Sequence, residues 1–161
     1  MHSEGSTAGR RIRRSLLSTA LVCAVFGTIS FGAAARASAA PSTTPRLQML
    51  ALINRNRVDH GLDRLKLNGR LSALATEHSR EMAERAALSH TDNVPQQLQP
   101  WDWSAWGENV GMTNADLGSL EWGFMNSADH RANILKPKFK HVGIGIVVVD
   151  GVYWVTVDFY G

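Results

Sequence analysis

After residue 40 the chain has no cysteine; Cys23, the single one among 161 residues, lies inside an N-terminal apolar stretch. A domain formed from the remainder has no disulfide to hold it and relies on its core. Cys-His nucleophilic chemistry is excluded there too. A basic excess is also missing once the N-terminus is set aside. Residues 1–40 carry five arginines and one acid, Glu4, so the rest holds twelve Lys and Arg against thirteen Asp and Glu, a formal charge of −1. The high isoelectric point therefore belongs to the N-terminal segment, and the retained basic face of a nucleic-acid binder is absent. The sequence shows no internal repeat, and low complexity is confined to Pro41–Pro45.

The N-terminus has the pattern of an export signal. Arg10, Arg11, Arg13 and Arg14 precede an apolar stretch from Leu16 to Ala35, and Ala37-Ser38-Ala39 supplies small residues where a signal peptidase cleaves. We expect residues 1–40 to be removed, which makes the protein secreted or envelope-associated. An uncleaved anchor is the alternative, and Thr19, Gly27, Ser30 and Gly32 dilute the run against it. Arg13-Arg14-Ser15-Leu16-Leu17 also has the form of a twin-arginine signal, so the export route stays open. Residues 41–46 read as a linker or disordered leader. Residues 47–161 form one domain, long enough to bury most of its apolar surface.

Within the domain, Arg46 to His60 reads as a first helix, with Leu47, Leu50, Ala51, Asn54 and Val58 on one stripe and Gly61 as its stop. Asn54 on that stripe requires partners, which the backbone of a neighbouring loop supplies. Leu71 to Ala87 reads as a second helix with Leu71, Leu74, Ala75, His78 and Met82 inward. His78 is expected to be a core histidine with one ring nitrogen satisfied. The following residues do not form the His-Glu-x-x-His zinc pattern. Glu77 and Glu81 read as a solvated face.

Ser89 to Gly107 reads as a loop, because Pro95 and Pro100 oppose a regular helix through it. Trp101, Trp103 and Trp106 crowd its end. Core capping is the expectation for Trp103 and Trp106, and Trp101 is divided evenly between capping and ligand stacking. A third helix is expected from about Ala115 to Asn126, with Leu117, Leu120, Glu121 and Phe124 on one face. Ser127 caps a short fourth helix that Pro137 ends. The C-terminus carries the strongest β pattern. His141–Val149 and Val152–Tyr160 are joined by Asp150-Gly151, a type I′ hairpin sequence. Gly143 and Gly145 leave one face bare for close approach. Helices first and a hairpin last predict an α+β layered domain.

Three residues carry the chemistry: His90 in Leu-Ser-His-Thr-Asp, Glu108 in Gly-Glu-Asn-Val, and His130 in Ser-Ala-Asp-His-Arg. They are too far apart in sequence for one helix to unite them. If the fold brings them together, two imidazoles and a carboxylate make a ligand site, and one suited to a divalent metal such as zinc. The alternative is architectural: Glu108 accepting from both imidazoles and locking three segments together. Catalysis ranks below both, because no spare carboxylate stands ready as general base. Ser127 stands three residues before His130, but a helix cap explains it better than a nucleophile.

The mature chain resembles the CAP superfamily of cysteine-rich secretory proteins, insect venom antigens and plant pathogenesis-related proteins, and in particular its cysteine-free bacterial branch. The resemblance runs from Leu47 to Gly161. It is carried by Leu52-Ile53-Asn54 with Arg57, Leu65 with Leu67, Ser89-His90-Thr91, Gly107-Glu108-Asn109, Ser127 through Leu135, Gly143-Ile144-Gly145, and Trp154 to Phe159. It implies a three-layer α-β-α sandwich around a central antiparallel sheet. It also implies a cleft holding two His and, in fuller members, two acids. His90, Glu108 and His130 match three of those four positions. Phe124 stands where the family has a Trp, which puts Ser127 at the second acid, and aligning Trp122 there puts Met125 at it instead; the fourth acidic position is missing either way, and Glu121 is a weak substitute.

The resemblance implies a non-enzymatic extracellular binding module whose cleft takes a divalent cation and a small apolar, lipid or cell-wall ligand. An extracellular metal-dependent hydrolase and a structural or interaction protein of the envelope are the alternatives. Neither nucleic acid nor a membrane span after signal cleavage is expected.

Overall fold

The structure, a computed structural model, describes residues 44–161. The expected export signal and the leader up to residue 43 lie outside the described residues. Helix α1 (Pro45–Asp59) begins where the Thr44 side chain accepts from Leu47 N–H and Pro45 fills the first turn, a position that needs no donor. Pro45, read from sequence as linker, therefore belongs to the helix, and Arg46 lies in it as the helical reading had it. Gly61, with φ of +74°, turns the chain out of it.

The inward face of α1 differs from the expected stripe. Met49, Ile53, Asn54 and Arg57 are buried, whereas Leu47 and Val58 are exposed. Arg57 accounts for the rotation. Its guanidinium donates to the carbonyls of Asp63 at 2.8 Å, Ile134 at 2.7 Å, Lys136 at 3.1 Å and Phe139 at 3.2 Å. Four carbonyl dipoles replace the water that a buried cation loses. Burial still pulls the Arg57 pKa down, with Asp63 opposing. Asn54 behaves as expected: it accepts from Leu65 N–H at 2.7 Å and donates to Leu65 C=O at 3.1 Å.

Four strands form one sheet in the order β1-β3-β4-β2: β1 (Lys66–Leu67), β2 (Trp106–Thr113), β3 (His141–Val149) and β4 (Val152–Tyr160). The expected hairpin is present, with Asp150 and Gly151 both at positive φ, +50° and +77°, as a type I′ turn requires. The sheet is antiparallel except at β1, whose two residues run parallel to β3.

Helix α2 (Gly69–Arg85) covers one face. It lies against Gly143 and Gly145, where a Cβ would collide with Leu71 and with the backbone of Ala75. Ser79 Oγ fixes the seat by donating to Thr156 Oγ1 at 2.9 Å, and Ser72 Oγ accepts from Ile144 N–H at 3.1 Å. Helices α1, α4 (Leu117–Met125) and α5 (Ala128–Ile134) cover the other face over a core that includes Met49, Ile53, Phe124, Phe139 and Phe159. Helix, sheet and helix form the three layers that the family resemblance implied. The α4 face is as expected, with Leu117, Glu121 and Phe124 buried, but the helix starts at Leu117, capped by Asp116.

Two elements depart from the sequence reading. A short helix α3 (Val94–Leu98) interrupts the expected loop, with Pro95 tolerated in its first turn. The eight-residue strand β2 replaces the end of that loop and the residues after it. Trp101 and Trp103 pack on a cluster with Leu71, Val94, Leu98 and Tyr160, so both cap the core; Trp106 is exposed, contrary to expectation. Among the described residues no helix is long and apolar enough to cross a membrane.

Candidate functional site

Strand β2 is poor in strand formers, and its glycines explain its place. A Cβ on Gly107 would strike Asn133, and one on Gly111 would strike Leu120 and Phe124. Those two positions let α5 and α4 lie against the strand, and alternation then turns Glu108 to the α2 face. On that face the loop after α2 is tied down by His78, whose Nε2 lies 2.8 Å from Ser89 C=O. His78 is thus the core histidine expected. The tie sets His90 beside Glu108.

His90 Nδ1–H donates to Glu108 Oε1 at 2.7 Å, and Thr91 N–H donates to the same oxygen at 2.9 Å. The Glu108 side chain is only 2% exposed, whereas that of His90 is 65% exposed. A buried carboxyl group therefore holds an imidazole that faces solvent.

His130 approaches from the opposite face of the sheet. Asn109 Nδ2 donates to His130 C=O at 3.0 Å; Asn133 Nδ2 donates to Glu108 C=O at 3.1 Å and Asn109 Oδ1 at 2.9 Å. These amides clamp α5 to β2. The His130 ring lies 4.9 Å from Phe124, centroid to centroid. Burial lowers its pKa, and the nearby His90 lowers it further against the opposing pull of Asp129. The ring is accordingly neutral at pH 7. Ser127 stands at the N-cap position of α5 but makes no cap bond. Its Oγ lies instead 2.9 Å from His130 Nδ1, which corrects the capping role expected of it.

The fold thus brings His90 and Glu108 into direct contact and sets His130 on the segment clamped to Glu108. Among the described residues no three His, Cys, Asp or Glu side chains are gathered as a ready cation cage. A groove of about 310 Å³ is lined by His90, Thr91, Trp106, Gly107, Glu108 and Asn133. A second, of about 430 Å³, runs past Leu88, Val110, Met112, Phe124 and His130.

Sequence reading missed Asp158. It pairs with Glu108 across the β2–β4 ladder and is 1% exposed. Among the described residues neither of its carboxyl oxygens nor Glu108 Oε2 has a hydrogen-bond partner. Desolvation, then the adjoining Glu108 carboxyl group, hold Asp158 well above the usual carboxylate range. Two such groups coexist when one keeps its proton, and the geometry puts that proton on Asp158. The only signal available was an acid inside a strand that otherwise reads as buried. Glu121 is engaged elsewhere: Asn56 of α1 donates to its Oε1 at 3.0 Å, its Oε2 is buried without a partner, and burial raises its pKa to about 7.

The family model described as the cysteine-rich secretory protein family, CAP, matches residues 50–159. The uncharacterized membrane protein YlbC of Bacillus subtilis is 31% identical over 110 residues, 65% of this chain and 32% of its own length. The uncharacterized protein YkwD of the same organism is 30% identical over 134 residues, 77% of this chain and 51% of its own length. The chain thus spans about a third and about half of these relatives. The crystal structure of an extracellular protein containing an SCP domain from Bacillus anthracis superposes with a TM-score of 0.60 at 28% identity, over 72% of this chain and 40% of that one.

Proposed function

Because the chain belongs to the cysteine-rich secretory protein family, we propose that it works outside the cell as a non-enzymatic binding module, with its ligand held at the cleft of His90, Glu108 and His130. One observation carries this reading: an exposed imidazole, His90, held by a buried carboxyl group, Glu108, at the mouth of a groove. Such a pair keeps a polar recognition group in place before the ligand arrives. The extracellular location is supported by the export pattern of residues 1–40 and by the extracellular relative. The apolar lining of the adjacent groove, Val110, Met112, Leu120 and Phe124, supports an apolar or envelope-derived ligand.

A divalent cation such as zinc is the second ligand of this reading. The donor chemistry fits, since His130 is neutral at pH 7 and, among the described residues, no hydrogen bond engages its Nε2. Placement fits less well. His90 Nδ1 is committed to Glu108, so a cation would be held by the other ring nitrogen of His90, by His130, and by Glu108 once its bond to His90 is given up. Bound there, the cation would add a point of attachment for a ligand oxygen.

Calorimetric titration of the metal-free full chain with zinc is the test. Heat in the wild type that disappears in His130→Ala supports the cation reading; equal heat in both overturns it. The binding module itself is tested by wild-type and His90→Ala protein exposed to cell-wall and lipid extracts. Equal retention by both proteins would move recognition away from the cleft, to the envelope-surface alternative.

A further inference from the structure

Among the described residues strand β2 is an outer strand of the sheet, bonded to β4 alone. Its register shows which of its peptide groups are used. Ala105 and Gly161, one step beyond the ladder, exchange both bonds: Ala105 N–H to Gly161 C=O at 2.9 Å and Gly161 N–H to Ala105 C=O at 3.1 Å. In an antiparallel pair such exchanges recur at every second residue. Gly107, Asn109, Gly111 and Thr113 therefore turn their peptide groups to β4, and Trp106, Glu108, Val110 and Met112 turn theirs outward. The carbonyl of Glu108 confirms the parity, since it is taken from outside the sheet by Asn133 Nδ2. Among the described residues, the N–H and C=O groups of Val110 and Met112 have no such partner.

Proteins usually protect an open edge with lysine, proline or a bulge. Val110-Gly111-Met112 carries no charge and no proline. The edge is not flat either. It lies in a trough of about 430 Å³ between Leu88 on the α2 side and Leu120 and Phe124 of α4 on the other, with His130 also lining it. Leu88 and Met112 are 48% and 51% exposed. Alternating donors and acceptors in the floor, with apolar walls above and below, complement one kind of ligand. That ligand has a backbone with the same alternation and side chains that point to both sides.

We propose that the outer edge of β2 binds an extended peptide segment as a fifth strand, paired to the peptide groups of Val110 and Met112, its side chains seated on Leu88 to one side and on Leu120 and Phe124 to the other. The walls select against a second copy of this domain, because its own β2 is recessed between identical walls. A single slim strand enters where a sheet does not. The proposal deepens the binding-module reading by naming the ligand class, and it rests on that reading for the groove but not for the cation. Recognition through the main chain tolerates many sequences, with preference for apolar residues at alternate positions.

The test starts from a random octapeptide library selected on the full chain, and the probe is the selected peptide with blocked ends. Hydrogen exchange at the Val110 and Met112 amides slows by at least about tenfold when the probe binds, as new strand bonds require. Met112→Ala keeps the outward N–H and retains the probe within about threefold, whereas Met112→Pro removes that N–H and loses at least about tenfold. Proline is tolerated there because the lost donor does not face β4, and an unchanged amide spectrum away from residues 110–114 checks the fold. Should Met112→Pro misfold, the exchange measurement on the wild type decides alone.

No enriched peptide, or a bound probe without protection at these amides, overturns the proposal. Equal loss in both variants means apolar contact without strand pairing and also overturns it. A wild-type dimer that dissociates in Met112→Pro would assign the edge to a second copy instead. Zinc binding is read separately, so a peptide failure leaves the cation result standing and a cation failure leaves the peptide result standing.

Discussion

Glu108 and Asp158 face each other as direct cross-strand partners on the α2 side of the sheet, one held by His90 and Thr91, the other buried with neither carboxyl oxygen hydrogen-bonded among the described residues. Asp158 is a buried acid that keeps its proton in the folded state and loses it on unfolding. Its folded pKa lies above the unfolded value, so its unfavourable effect grows as pH rises from about 4 toward the folded pKa. Asp158→Asn keeps the shape, donates to Glu108 and has no proton to lose. We expect this variant to be at least as stable as wild type at pH 7, with an advantage that increases with pH. Asp158→Ala removes the group packed against Glu108 and opens a cavity, at a cost of about 2–3 kcal/mol. Urea denaturation of the three proteins at pH 5, 7 and 8 checks the order.

Glu121 predicts a separate pH effect. Its folded pKa of about 7 exceeds the ordinary carboxylate value of 4.5, because burial disfavours the charge more than Asn56 supports it. Between pH 4.5 and 7 the unfolded chain releases this proton while the folded chain keeps it, so stability falls as pH rises through that window. Glu121→Gln removes the dependence. At pH 8 it should be more stable than wild type by about 1–3 kcal/mol, and at pH 4 the two should agree within about 1 kcal/mol. Thermal unfolding across pH measures both ends; parallel profiles would show that Glu121 is not the titrating group.

Gly145→Ala should be among the most damaging single changes. The added methyl collides with the backbone of Ala75, which cannot move without lifting α2 from the sheet. Overpacking against backbone costs about 3 kcal/mol or more. Gly123→Ala, on α4 with open space around it, is the control and should be neutral to slightly stabilising. Circular dichroism melts of the two variants give the comparison.

Arg57→Met removes a cation that four carbonyls surround. The apolar chain fills much of the volume but leaves those carbonyls without donors, for an expected loss of about 3–5 kcal/mol. Arg57→Lys reaches fewer of them and should fall between wild type and Met. Chemical denaturation at one pH measures the series.

The parts of the fold that were legible are those whose cause is local. The β3–β4 hairpin follows from Asp150-Gly151 and strict alternation, and the inward face of α2 follows from its helical period, His78 included. β2 was not legible, because Gly107, Asn109 and Gly111 are weak strand formers and the strand exists through β4 and the helices seated on its glycines. The α1 face was misjudged for a related reason. A charged Arg57 looks solvated until the four carbonyls around it are known, and three of these come from residues far along the chain. At the site, the meeting of His90, Glu108 and His130 was proposed from three separate segments; His90 contacts Glu108, whereas His130 is bonded to Ser127 and Asn109. Asp158 was not foreseen, because only the β2–β4 register sets it against Glu108. Trp106 was expected to be covered and is exposed.

The sheet has two outer strands, and they are not equivalent. Beside β1, Asn54 takes both the N–H and the C=O of Leu65, so a helix side chain stoppers that margin from within the molecule. Fibrils propagate by strand addition only when a unit presents two receptive margins. With the peptide groups of Leu65 taken, a strand arriving beside β1 meets a step that is already bonded, so continued stacking is opposed on that side.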